Sequence, residues 1–149
     1  GPVIDMLGQQ YRRSVYIEVR RSRPLAVLEP FDLPTLTPNC TRRASSTVAP
    51  QSLQMLNSQF ITQQARHFAD RLRRLSDSTE DAIRAAWRLA YSKEITAEQF
   101  GEALDFMAAI QKILIADYQD KGLKDDAQRD ALALFCQALI SSNQFIYIE

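Results

Sequence analysis

In Ile61-Thr62-Gln63-Gln64-Ala65-Arg66-His67-Phe68-Ala69-Asp70-Arg71-Leu72-Arg73-Arg74-Leu75, the residues Ile61, Ala65, Phe68, Leu72 and Leu75 recur at spacings of four, three, four and three. That is the period of one face of an α-helix, so the stretch predicts a helix with a single apolar stripe. Upstream, helical period begins at about Pro50, a residue tolerated in a first turn because the N–H it lacks would be unpaired there. This first piece carries Leu53 and Leu56, and Asn57-Ser58 either cap a new helix or sit inside a longer one. Downstream, Ser76-Asp77-Ser78-Thr79 breaks the pattern, and Ser78 with Asp81 three residues on predicts the cap of a helix bearing Ile83, Ala86, Trp87 and Ala90.

Thr96-Ala97-Glu98-Gln99 reads as a capping box, in which the Thr hydroxyl and the Gln side chain each take up a free N–H of the first turn. The helix that follows has Phe100, Ala103, Leu104, Phe106, Met107, Ile110, Ile113 and Leu114 against a narrow polar line of Glu98, Glu102, Asp105, Lys112 and Gln119. An apolar face that broad needs more than one neighbour. Gly122 is a natural stop, and a last helix from about Asp125 to Ser142-Asn143 buries Ala131, Leu132, Phe135, Ala138 and Leu139.

The N-terminal third has a different texture. Val15, Ile17 and Val19 alternate with Ser14, Tyr16, Glu18 and Arg20, which predicts a short strand with one buried face. From Arg21 to Ser46, Pro24, Pro30, Pro34 and Pro38 exclude a long helix, while Leu25, Val27, Leu28, Phe31, Leu33 and Leu36 are too apolar for a solvated linker. An ordered Pro-rich arm is expected. Phe145-Ile146-Tyr147-Ile148 is the other β-prone run, and backbone groups of a half-buried strand need partners, so the tail is expected to pair with residues 14–19 as a two-stranded ribbon. The fold class expected is therefore mainly α: a bundle-like domain of four to five helices with a Pro-rich N-terminal arm and a short β ribbon. A single domain over residues 3–149 divides into strand and arm (3–46), helices (47–143) and extended tail (144–149). Gly1-Pro2 is either a tag remnant or native sequence and is set aside.

The 149 residues are 46% hydrophobic and 24% charged, the composition of one globular domain. Eighteen basic side chains balance eighteen acidic ones, so net charge argues for no nucleic-acid partner and for no membrane-surface partner. No apolar run approaches the roughly 18 residues of a membrane span, and no basic-then-apolar leader is seen. The charge is unevenly laid out: residues 1–43 sum to +3, residues 44–76 to +3 and residues 77–149 to −6. Arg12, Arg13, Arg20, Arg21, Arg42 and Arg43 read either as an anion-binding surface, since guanidinium forks suit carboxylates, sulfates and phosphates, or as partners of the acidic helices. If a ligand binds, an anionic polysaccharide on these arginines is the expectation.

Catalytic signals are few. His67 is the one histidine, and mid-helix beside Phe68 it reads as a surface or packing residue. There is no Gly-x-Ser-x-Gly turn, Gly-rich phosphate loop, Cys-x-x-Cys or His-Glu-x-x-His, so no metal or cofactor is expected. Glu80-Asp81 and Asp125-Asp126 lie at helix starts, where the macrodipole accounts for them. Trp87 falls on an apolar stripe and reads as core rather than as a sugar-stacking platform. Cys40 and Cys136 are either two separate buried thiols or a disulfide joining arm to last helix.

The stretches Arg12-Arg13-Ser14-Val15-Tyr16, Arg20-Arg21-Ser22-Arg23-Pro24, Leu28-Glu29-Pro30-Phe31-Asp32, Pro38-Asn39-Cys40-Thr41-Arg42-Arg43 and Ser46-Thr47-Val48-Ala49-Pro50-Gln51-Ser52-Leu53-Gln54-Met55-Leu56-Asn57 resemble a planctomycete-specific domain of unknown function. Arg88-Leu89-Ala90-Tyr91 and Ser142-Asn143-Gln144-Phe145-Ile146-Tyr147-Ile148 extend the resemblance over nearly the whole chain. Such domains lie at the C-terminal end of large exported cytochrome-c-like proteins. The resemblance implies an exported or periplasmic multidomain parent whose other domains are partners, and it brings no catalytic residues. Cys-x-x-Cys-His is absent here, so no covalent haem is expected. The function expected is a non-catalytic interaction or scaffold module. The alternative is part of a carbohydrate-processing or hydrolase-type enzyme whose site is completed by upstream domains.

Overall fold

A computed structural model describes residues 48–119 and 124–147, together with Tyr11, Arg13 and Tyr16. The chain divides into two compact units, Gly1–Ser46 and Thr47–Glu149. Among its described residues the second holds six helices: α1 (Val48–Asn57), α2 (Gln59–Leu75), α3 (Thr79–Tyr91), α4 (Ala97–Gln119), α5 (Lys124–Ile140) and α6 (Asn143–Ile146). None of the described helices is long and apolar enough to cross a membrane.

Local side-chain chemistry sets the breaks between them. Ser58 is extended and its Oγ accepts from the Ile61 N–H at 3.5 Å, so Asn57-Ser58 separate α1 from α2 rather than lying inside one helix. Ser78 Oγ accepts from the Asp81 N–H at 3.1 Å while its hydroxyl donates to Asp81 Oδ2 at 2.8 Å. Thr96 and Gln99 form the expected reciprocal box, with Gln99 N–H to Thr96 Oγ1 at 3.2 Å and Thr96 N–H to Gln99 Oε1 at 3.1 Å. Each cap satisfies donors that the first turn leaves without an intrahelical partner. α3 ends at Ser92, whose left-handed φ of 56° turns its N–H back to Arg88 O at 2.9 Å.

α2 packs along α5, and α4 covers another side of α5, with α3 bridging α2, α4 and α5. The seam is small-featured: eight of the fifteen buried apolar residues described are alanines, among them Ala65, Ala69, Ala86 and Ala131, and Leu72, Ile83, Phe135 and Leu139 fill what remains. Small side chains let helix axes approach, and the larger ones fill the gaps between turns. Buried polar groups fasten α1. Gln137 Nε2 on α5 donates to Leu56 O at 2.8 Å, and the Tyr147 hydroxyl donates to Gln51 Oε1, with Gln51 only 2% exposed.

Several expectations change. The tail is not extended: Phe145 and Ile146 belong to α6, because Ser142 caps a new turn by accepting from the Phe145 N–H at 3.2 Å. A local cap outweighs the β propensity of an apolar run too short to pair. Among the described residues there is no strand, and Tyr16 stands in a 3₁₀ turn with its N–H on Arg13 O at 3.0 Å. The ribbon of residues 14–19 with the tail is thereby corrected; Val15, Ile17, Val19, the Pro-rich arm and Gly122 lie outside the described residues. Among the described residues six helices replace the expected four to five, and α5 stops at Ile140 rather than near Ser142-Asn143. Two stripe residues face outward: Leu75, at the last position of α2, is 62% exposed, and Ala138 is exposed on α5.

Candidate interaction surface

The apolar stripe of α2 turns Ala65, Ala69 and Leu72 into the core, which forces the intervening residues outward. Arg66, His67, Arg71, Arg73 and Arg74 are all exposed, and among the described residues none of these four arginines forms an ion pair. Arg73 and Arg74 occupy the last turn, where a cation is favoured by the helix dipole. The single acid on this helix, Asp70, is engaged from the side by Arg129 of α5, with Nε to Oδ1 at 3.1 Å and Nη2 to Oδ2 at 3.2 Å. The outward face of α2 therefore presents guanidinium groups to water with its one carboxylate already held.

Two shallow clefts open beside this face. One, of about 160 Å³, lies where α2 gives way to α3 and is bordered by Arg73, Ser78 and Gln128. The other, of about 150 Å³, lies between α2, α4 and α5 and is bordered by Arg66, Tyr118, Asp130 and Gln137. In the second, the Tyr118 hydroxyl donates to Asp130 Oδ2 at 2.6 Å, and Gln137 is spent on Leu56 O. Arg66 and Arg73 are two helical turns apart, roughly 10.5 Å along the axis, so each cleft has one α2 guanidinium at its mouth.

The groups with displaced titration sit elsewhere. Burial pushes the Cys136 thiol up to about 12, with the side chain fully enclosed on α5 as a free thiol. A thiol so placed is a poor nucleophile at neutral pH. Tyr91 is raised by burial, partly offset by its hydrogen bond to Ser142, and it packs edge-on against Trp87 with ring centroids 4.7 Å apart. Trp87 is half-buried against the core, as its place on the stripe indicates. Among the described residues no group of three or more His, Cys, Asp or Glu side chains is placed to hold a metal.

Of the arginines singled out from sequence, Arg13 is exposed, and Arg12, Arg20, Arg21, Arg42 and Arg43 lie outside the described residues, as does Cys40. The α2 arginines have their signal in the sequence. Four Arg against one acid between residues 44 and 76, on a helix whose apolar stripe is already assigned, leaves them only the outer face.

A family profile, PSD1, described as a protein of unknown function (DUF1553), matches residues 5–107. The chain belongs to the DUF1553 family. The match spans more than two thirds of the chain and includes the whole of α2 with its arginines, ending midway along α4. No curated protein and no solved structure matches this DUF1553 chain.

Proposed function

We propose that the helical unit is a non-catalytic interaction module which fastens a larger exported, redox-linked planctomycete protein to an acidic polysaccharide, with the cationic face of α2 as the contact. The observation that carries this reading is the set of four exposed α2 arginines without an ion pair among the described residues. Guanidinium forks match carboxylate and sulfate groups in two-pronged geometry. Spacing supports a polymer over a small anion: Arg66 and Arg73 stand two turns apart on one line, so both are engaged at once only by a ligand bearing repeated charges. The parent's other domains are the remaining partners, and export or a periplasmic location follows from the resemblance rather than from the helices.

An acidic polysaccharide and a nucleic acid are both polyanions, and the chain, with a sequence pI of about 6.8, adds no net charge to the α2 arginines for either; the resemblance to an exported parent is what favours the polysaccharide. The test is retention of the full chain on heparin resin, with alginate, uncharged dextran and duplex DNA as soluble competitors. Heparin and alginate should compete and dextran should not, and Arg66→Ala/Arg73→Ala should elute at markedly lower salt. Retention indifferent to that double substitution overturns the reading, and displacement by DNA alone transfers the surface to a nucleic acid. Turnover of a glycan by the isolated chain would replace the module with an enzyme.

A further inference from the structure

We propose that the flank of α4 bearing Phe106, Ala109 and Ile113 docks an amphipathic helix of a partner protein whose apolar stripe is bordered by Lys or Arg. This flank belongs to a different helix from the cationic face, so its success or failure is read separately.

α4 turns Ala103 and Met107 into the core, and Ile110 and Leu114 pack against it half-buried. Glu102, Phe106, Ala109 and Ile113 then follow at spacings of four, three and four on the side left open. Phe106 is 39% exposed and Ile113 67% exposed, and Ala109 between them is exposed as well. The Phe106 ring lies against Phe135 with centroids 6.2 Å apart and the ring planes tilted by 50°. A stripe of this period on a rigid helix is the complement of another helix laid alongside it.

Charge selects among occupants. Glu102 lies on the stripe's own line one turn before Phe106, Glu98 and Asp105 are exposed beside it, and α4 carries four acids against the single cation Lys112. A second copy would bring this same flank, whose one cation is Lys112, so it offers no Lys or Arg border to meet Glu98, Glu102 and Asp105. An anionic lipid surface is repelled by the same acids, since helices that lie on membranes carry Lys and Arg on their polar side. A basic amphipathic segment is the occupant that gains from both the apolar stripe and the acids.

The experiment uses the full chain and two labelled synthetic peptides, one of leucine and lysine with leucines at spacings of three and four, the other with glutamate in place of each lysine. By fluorescence anisotropy the lysine peptide should bind at least about tenfold more tightly than the glutamate peptide. Glu102→Lys/Asp105→Lys should remove that preference. Ile113→Ser should weaken the lysine peptide, whereas Leu75→Ser, an equally open apolar residue on α2, should leave it unchanged. Both are surface positions, so circular dichroism should report a native helical content for each. Equal affinity for the two peptides, or indifference to Ile113→Ser, overturns the proposal. So does a concentration-dependent dimer in sedimentation that Ile113→Ser abolishes, which would assign the flank to a second copy.

Discussion

Arg129 reaches from α5 to grip Asp70 on α2 with two near-parallel hydrogen bonds of 3.1 and 3.2 Å, joining residues 59 apart in sequence. The pair is partly open to water, with 45% of the Arg129 side chain and 31% of the Asp70 side chain exposed. Such a bridge contributes modestly to folding, of order 0.5 kcal/mol. Its larger effect is on the field of α2, since it leaves the one acid of that face partly neutralised.

Asp70→Asn should accordingly cost about 0.5 kcal/mol in urea unfolding and move heparin elution to higher salt. The two readouts shift in opposite directions. A loss above about 2 kcal/mol would show instead that the bridge is a structural fastening between α2 and α5.

Cys136 sets a pH dependence. Its thiol titrates at about 12 in the folded chain against 9.0 in the unfolded one, because burial disfavours the thiolate. Below the lower value both states hold the proton and the group contributes no slope; above it the unfolded chain releases a proton that the folded chain keeps, so stability falls as pH rises from about 9 to about 12. Cys136→Ala removes this loss while opening a small cavity. The stability gap between wild type and Cys136→Ala should therefore narrow as pH is raised from about 8 to about 11, measured by urea midpoint. A thiol reagent should label the native chain only at the rate at which it opens.

Two neighbouring positions should respond with opposite signs. Ser141 is 6% exposed, and its Oγ has no hydrogen-bond partner among the described residues, so Ser141→Ala should stabilise by about 1 kcal/mol. Tyr91 Oη lies 2.9 Å from Ser142 Oγ and 3.3 Å from Leu139 O, tying the end of α3 to the start of α6. Tyr91→Phe should cost about 1 kcal/mol and speed amide exchange at Tyr147. Equal effects at the two sites would contradict this division.

The helix caps should rank by geometry. Ser78→Ala loses a 3.1 Å bond to the Asp81 N–H as well as the 2.8 Å contact with its carboxylate, and should cost about 1 kcal/mol by thermal or urea melts. Ser58→Ala loses a single bond of 3.5 Å, at the limit of useful length, and should cost less than half as much.

What sequence makes legible is what is decided within one turn. The stripe from Ile61, the Ser78 cap and the Thr96/Gln99 box are local arrangements; the structure keeps both caps, and it keeps the stripe through Leu72 while Leu75 faces water. Ser142 is local too, but in sequence a serine after an apolar stretch marks a helix end as readily as a helix start, and the β-prone Phe145-Ile146 run points to a strand. Gln137 and Gln51 could not be read ahead of the fold, because their partners Leu56 and Tyr147 lie 81 and 96 residues away. The broad apolar face of α4 was plain. Which part of it stays open depends on where α5 and α3 come to rest. The cationic face of α2 has its signal in composition and period, four Arg against one acid between residues 44 and 76.

The alanine-rich seam has a calorimetric consequence. An alanine exposes far less hydrocarbon on unfolding than the leucine or isoleucine that commonly fills such a position, and apolar exposure is what raises the heat capacity of the unfolded chain. Eight alanines among the buried residues therefore point to a heat-capacity increment toward the lower end of the usual roughly 12–15 cal/mol/K per residue. A smaller increment means a flatter curve of stability against temperature. On that curve this helical unit gives up little of its cohesion on cooling, and its warm-side decline is gradual rather than abrupt.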